Sequence, residues 1–166
     1  AKSERPSGAE TAEHDRGAVR RGIAIHWLLE QLSAGQGDPQ RGHLEARLEQ
    51  AVSAEDFKAW KTEVRAVIAT PALQRFFDAA QYRRAWNEVP ISYDDTSGII
   101  DRMVDDGETL WVLDYKTHRD ADPAALLARY RGQLMAYREG VRRLWPGRSV
   151  RPGLLLTNTQ RWIELE

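Results

Sequence analysis

Apolar residues recur along this chain first with the period of a helix, then with the period of a strand. From Val19 to Leu32, the residues Ile25, Leu28, Leu29 and Leu32 fall on one stripe that Ile23 and Trp27 widen, which predicts an amphipathic helix. The segment before it, to about Arg16, is rich in Ser, Glu, Gly, Pro and Ala and nearly free of large apolar side chains. Residues 1–17 are therefore expected to be a flexible leader, and residues 18–166 the folded domain. Gly35 to Gly42 reads as a loop, and a second helix is expected from His43 to Val52. Ser53 then looks like an N-cap, with Asp56 at the capping-box position, and opens a third helix that carries Phe57, Trp60, Val64 and Ile68 inward. Thr70-Pro71 reads as a further N-cap with Pro in the first turn, opening a short helix through Phe76 and Phe77.

The texture changes at Tyr82. Ala85 to Tyr93 reads as a strand in which Pro90 demands an edge or a bulge. Gly98 to Val104 and Leu110 to Thr117 are short apolar runs, and Asp105-Asp106-Gly107-Glu108 between them signals a hairpin. Asp122-Pro123 opens a long helix with Leu127, Tyr130, Leu134, Tyr137, Val141 and Leu144 on one stripe, stopped by Pro146-Gly147. Leu154 to Thr157 and Trp162 to Leu165 complete the strands. Helices, three strands, a long helix and two more strands predict an α/β domain: a small mixed β-sheet flanked by helices.

Composition narrows the chemistry. The chain has 166 residues, a formal net charge of −1 and no cysteine. Disulfides, thiolate zinc sites, iron–sulfur clusters and cysteine nucleophiles are excluded within it. No apolar run is long enough to cross a membrane and no signal-peptide core is present, which fits a cytoplasmic protein. The charge rules out a basic coating protein, but a local basic track beside acidic metal ligands remains open. The chain opens on Ala1 without Met, as expected of a processed chain or a piece of a longer one.

The hairpin carries the chemistry. Both arms are apolar at odd and even positions, so they are expected to be buried on both faces, and Asp101, Asp114 and Lys116 would be costly there unless paired or bound to an ion. If Asp105 faces Glu108, then Val104 faces Thr109 and Asp101 faces Val112. Asp101, Asp114 and Lys116 then share one face, with the two acids as diagonal neighbours at roughly 7–8 Å. A one-residue slip would send Asp101 to the other face. Two carboxylates beside a lysine suit magnesium, which takes oxygen ligands and acidifies bound water for attack on a phosphodiester. A buried salt-bridge network that merely closes the sheet is the plain alternative.

Gly98-x-Ile-Asp101-Arg, a spacer and Asp114-Tyr115-Lys116-Thr117 resemble the core of the PD-(D/E)XK nuclease superfamily. The pattern is most similar to the RecB/AddA-type exonuclease domain at the C-terminus of UvrD/Rep-like recombination helicase–nucleases. Arg21-Gly22-Ile-Ala-Ile-His26-Trp-Leu-Leu-Glu30 is similar to the family helix that presents a histidine, and Tyr130-x-x-Gln133-Leu-x-x-Tyr137 to its Gln-x-x-x-Tyr helix. The resemblance implies a restriction-endonuclease-like core. It implies Asp101 and Asp114 as catalytic metal ligands, Lys116 as the catalytic lysine, and His26 and the Tyr115 carbonyl as further ligands. Gln133 and Tyr137 would contact DNA or orient the core, and Glu88 stands where relatives often carry an acid. The implied activity is magnesium-dependent DNA exonuclease in double-strand-break repair and recombination, with manganese as a substitute and no iron–sulfur cluster. The implied partners are DNA, chiefly single-stranded, helicase domains of the same parent chain and an AddB-like subunit.

Unaided, the residues also admit plainer readings. His26 alone reads as a satisfied core histidine, Tyr137 as core, Gln133 as surface and His118 as a solvated loop residue, with Arg102 structural by its opposite parity. Arg119, Arg129 and Arg131 could contact phosphates or form a solvated face, while Trp60, Trp86 and Trp111 are patterned as core. No Gly-x-x-x-x-Gly-Lys-Ser/Thr loop is present, so an ATP-driven motor would have to lie elsewhere on a parent chain. The rival to a nuclease is a catalytically silent module of the same fold that binds DNA or a partner protein.

Overall fold

The computed structural model describes residues 8–119 and 122–166. Its elements run α1 (Gly8–Ser33), α2 (Arg41–Leu48), α3 (Ala54–Ala69), a 3-10 turn (Pro71–Leu73) leading into α4 (Gln74–Phe77), then β1 (Arg84–Tyr93), β2 (Thr96–Asp105), β3 (Thr109–Lys116), α5 (Pro123–Leu144), β4 (Ser149–Leu156) and β5 (Arg161–Glu164). The strands form one sheet in sequence order. β1–β2, β2–β3 and β4–β5 are antiparallel, while β3 and β4 are parallel with α5 as the crossover between them. β1 is an edge, and its exposed Pro90 therefore leaves no central ladder bond unmade.

The sheet is buried on both faces, as the apolar hairpin arms demanded. One core packs α1, α2, α3 and α4 on Val104, Trp111, Leu113, Tyr115 and Leu155. The other packs α5 on Met103, Leu110, Val112, Leu154 and Leu156. The result is a mixed sheet between two helical layers, the α/β class expected.

Several boundaries depart from expectation. Helix α1 begins at Gly8, not near Val19, and residues 11–19 are all exposed. Ala and Glu between Gly8 and Glu13 are good helix formers, so the buried half of the helix can propagate outward without burying anything. The rest of the expected leader, residues 1–7, lies outside the described residues. Helix α2 stops at Leu48 because Glu49 turns left-handed, at φ 53°, and Val52 is buried beyond the helix. Ser53 caps α3 as expected, accepting from Asp56 N, but Thr70 does not cap: its hydroxyl donates to Ala66 O of the preceding helix. On α5, Leu126 and Gly140 are buried, whereas Leu144 is 57% exposed. Strand β4 starts at Ser149, five residues before the apolar run at Leu154, because it pairs with β3 along its full length.

The hairpin register also differs. Asp105 faces Leu110 rather than Glu108, and Met103 faces Val112. The loop is longer than expected because Asp106 takes over three hydrogen bonds there, accepting from Glu108 N, Thr109 N and Trp111 Nε1. The shift is by two residues, an even number, so facial parity is kept.

Candidate active site at the head of the central strands

Strand alternation breaks at one place. Trp86 and Val89 on β1, and Met103 and Ile100 on β2, are three residues apart, yet all four pack in the core under α5. Regular alternation would send one member of each pair to the other face. The break falls at Glu88, whose φ is 52°, and at Asp101 across from it, between the pairs Asn87↔Arg102 and Val89↔Ile100. The β2–β3 ladder also ends here, at Arg102↔Leu113. Beyond the ladder's end, the Asp101 and Asp114 carboxyls lie close enough to act on each other's charge. Asp101 Oδ2 accepts from Tyr115 N at 2.7 Å, so a side chain occupies the place of a ladder carbonyl.

Around this point the expected residues converge. His26, from the middle of α1, places Nε2 3.3 Å from Asp101 Oδ2. Its Nδ1–H donates to Gly22 O at 2.8 Å, one turn back. Lys116 Nζ lies 3.1 Å from Asp114 Oδ2 and 3.9 Å from the centre of the Tyr130 ring. The Asp114 oxygen is buried and makes no hydrogen bond of good geometry, so the lysine answers it by charge alone.

The electrostatics follow from burial. Desolvation pushes the Asp114 carboxyl up to about 7; Lys116 opposes the shift and the neighbouring Asp101 adds to it. Desolvation also works against ionised Asp101, but His26 and the Tyr115 N–H outweigh it and hold this carboxyl below its ordinary value. For His26 burial opposes the charged form, and the hydrogen bond and charge of Asp101 overcome it, raising its pKa.

Tyr137 is buried; its hydroxyl accepts from Gln133 Nε2 at 2.9 Å and donates to Ile99 O at 3.1 Å. A Cβ on Gly98 would sit 3.0 Å from Tyr137 Cε1, so glycine is what lets helix and strand close here. The Gln133–Tyr137 pair thus straps α5 to β2 two residues before Asp101, while Gln133 itself is exposed. The Tyr115 side chain is buried in the other core, edge-on to His26. Glu88 does not join the acid pair: it is exposed, neighbours Glu30, and lines a cleft of about 380 Å³ with Gly22, His26, Trp27 and Arg47. Arg102 is structural, fully buried and donating to Phe76 O, Asn87 Oδ1 and Tyr82 Oη.

One network was not legible in the sequence. Arg21 makes a two-pronged pair with Glu63 of α3 and donates to Thr117 O, while the buried Thr157 hydroxyl donates to the same Glu63. Thr157 N also donates to Lys116 O. The strand end bearing Lys116 is thereby tied to both α1 and α3. Glu63 follows no motif and sits at the margin of the apolar stripe of an ordinary amphipathic helix, so no local signal marks it.

The donor set suits a hard divalent cation: two neighbouring carboxylates with one buried oxygen lacking a hydrogen bond, and an imidazole whose other nitrogen is committed to a carbonyl. The groups are linked in series, His26 to Asp101 and Asp114 to Lys116. Among the described residues, no three His, Asp or Glu side chains already surround a common point.

A mixed sheet between helical layers, with neighbouring acids and a lysine on its central strands, is an α/β fold of the restriction-endonuclease-like type. The chain belongs to the PD-(D/E)XK nuclease superfamily, whose family model matches residues 3–162. Members of that superfamily are mostly metal-dependent nucleases. No curated relative matches the chain significantly.

Proposed function

We propose that this chain is a divalent-metal-dependent deoxyribonuclease domain with Asp101, Asp114, Lys116 and His26 at its active site. The observation that carries the reading is the closeness of the Asp101 and Asp114 carboxyls just beyond the end of the β2–β3 ladder, with Lys116 3.1 Å from the second acid. Magnesium, or manganese in its place, would acidify a bound water and offset charge on the phosphodiester. Asp101 and Asp114 would hold the ion, with His26 Nε2 and the Tyr115 carbonyl as further ligands. Lys116 is placed to stabilise charge on the phosphate oxygens or to orient the attacking water. Gln133 and Tyr137 fix the strand that carries Asp101, the exposed Gln133 being the member open to a nucleic acid, and Glu88 stands at the rim.

The finer reading is an exonuclease domain of the RecB/AddA type, acting on single strands delivered by helicase domains of a parent chain during break repair, alongside an AddB-like subunit. It is supported by the order of His26, the Asp101–Lys116 hairpin and the Gln133-x-x-x-Tyr137 helix, and by a chain that holds no cysteine for a cluster. One observation favours the rival, a silent module: each acid already has a basic neighbour, His26 or Lys116.

Purified protein with magnesium or manganese is expected to degrade single-stranded DNA, and Asp114→Ala to abolish degradation while the folded spectrum is kept. Equal degradation by variant and wild type would refute the proposal. Calorimetric titration separates the rival, which predicts no heat of binding at millimolar metal.

A further inference from the structure

Next to the acid pair lies a second concentration of charge, of the opposite sign. Tyr130, on the second turn of α5, is its centre. Lys116 Nζ stands 3.9 Å from the middle of the ring and Arg129 Cζ 5.2 Å from it. His118 Nε2 lies 3.2 Å from the Tyr130 hydroxyl, with the two rings tilted at 6.1 Å between centres. Three basic side chains, from the end of β3, the loop after it and α5, therefore share one aromatic surface.

Their partners differ. Lys116 is answered by Asp114 on its buried side. Arg129 and His118 are exposed, and among the described residues neither meets a carboxylate. Elsewhere on the same helix Arg143 pairs with Glu139 and Asp94, and at the far end of the sheet Arg148 pairs with Asp105. Burial, together with the charges of Arg129 and Lys116, holds the His118 pKa below its ordinary value.

We propose that His118 and Arg129, set around Tyr130, form a subsite for a phosphate of the substrate strand adjacent to the one that is cut. The inference rests on the nuclease reading and names where the strand runs: from the acid pair, past Lys116, towards the exposed face of α5. A phosphate there accepts from the Arg129 guanidinium and the His118 imidazole, and the half-buried Tyr130 ring offers an apolar surface to the neighbouring sugar or base. Arg119, exposed in the same loop, extends the track.

The test is binding of a fluorescent single-stranded oligonucleotide in calcium, which separates binding from cleavage, followed by cleavage kinetics in magnesium. His118→Ala/Arg129→Ala is expected to weaken binding about tenfold, to raise KM in step, and to flatten the salt dependence of log K by about 0.7 for each phosphate no longer neutralised. Arg129→Lys should restore most of the affinity, whereas Arg142→Ala on the same helix should change nothing. Affinity and salt slope unchanged in the double variant, with an unchanged melting midpoint, would overturn the subsite and leave the nuclease reading standing. Weakened binding in a protein whose Lys116→Ala variant still cuts normally would support the subsite and overturn the catalytic assignment. A wild-type chain that binds no oligonucleotide overturns both.

Discussion

The residues that carry charge inside this protein fall into two kinds. Arg21, Glu63 and Thr157 form a structural cluster, a two-pronged ion pair joined by a hydroxyl, that ties α1 and α3 to the backbone of Lys116 and Thr117. Asp101, Asp114, His26 and Lys116 instead set two neighbouring acids between two bases, and burial pushes the Asp114 carboxyl up to about 7. The Arg21 cluster joins separate elements of the fold to each other. Glu63→Gln should therefore cost about 2–3 kcal/mol of unfolding free energy in urea, since it strands the Arg21 charge in a nearly closed site. A cost under about 0.5 kcal/mol would show that the network is ornamental. Asp101, Asp114 and Lys116 were legible as a set because spacing and parity bear on them directly, whereas His26 was legible only through the family resemblance and unaided read as a core histidine. Glu63 and Thr157 were not, since they meet only once α3 and β4 are packed.

At the scale of elements, the hairpin shows what a sequence pattern can and cannot fix. The Asp-Asp-Gly-Glu turn was legible, but its closure was set by Asp106, whose side chain takes bonds from Glu108, Thr109 and Trp111 and moves the register by two residues. The residues inside the ladder kept their faces through the shift, whereas Asp101 lies beyond its end. The alternation break at Glu88 and Asp101 left no mark in the apolar pattern, because residues on both sides of it are apolar. Just before the loop, Asp105 is pinned by Arg148 at 2.6 Å, and that arginine holds the Asp105 carboxyl below its usual value. A lowered folded-state pKa means stability that is present above the unfolded value, about pH 4, and is lost as pH falls through the folded one. The difference in melting midpoint between wild type and Arg148→Ala should therefore be largest near neutral pH and shrink as pH falls below about 4. A difference that stays constant with pH would show that the arginine acts through packing alone.

For the whole molecule, the sheet divides two apolar cores, and the polar functional groups gather where the β2–β3 ladder ends. His26 reaches this point from the four-helix side, Gln133 and Tyr137 brace it from the α5 side, and no helix of the described residues is long and apolar enough to cross a membrane. Fold class was legible because element order and double-sided burial both follow from the sequence pattern. The helical extension before Val19 was not, since exposed Ala- and Glu-rich chain is compatible with helix or coil. Every functional role proposed for these residues depends on the neighbouring acids holding a divalent ion. Anomalous diffraction from crystals grown with manganese tests this most directly. A single strong peak within coordination distance of both Asp101 and Asp114, absent in Asp114→Ala, is the result expected. Crystals that diffract well yet show no peak there, with the His26–Asp101 and Lys116–Asp114 contacts intact, would contradict it.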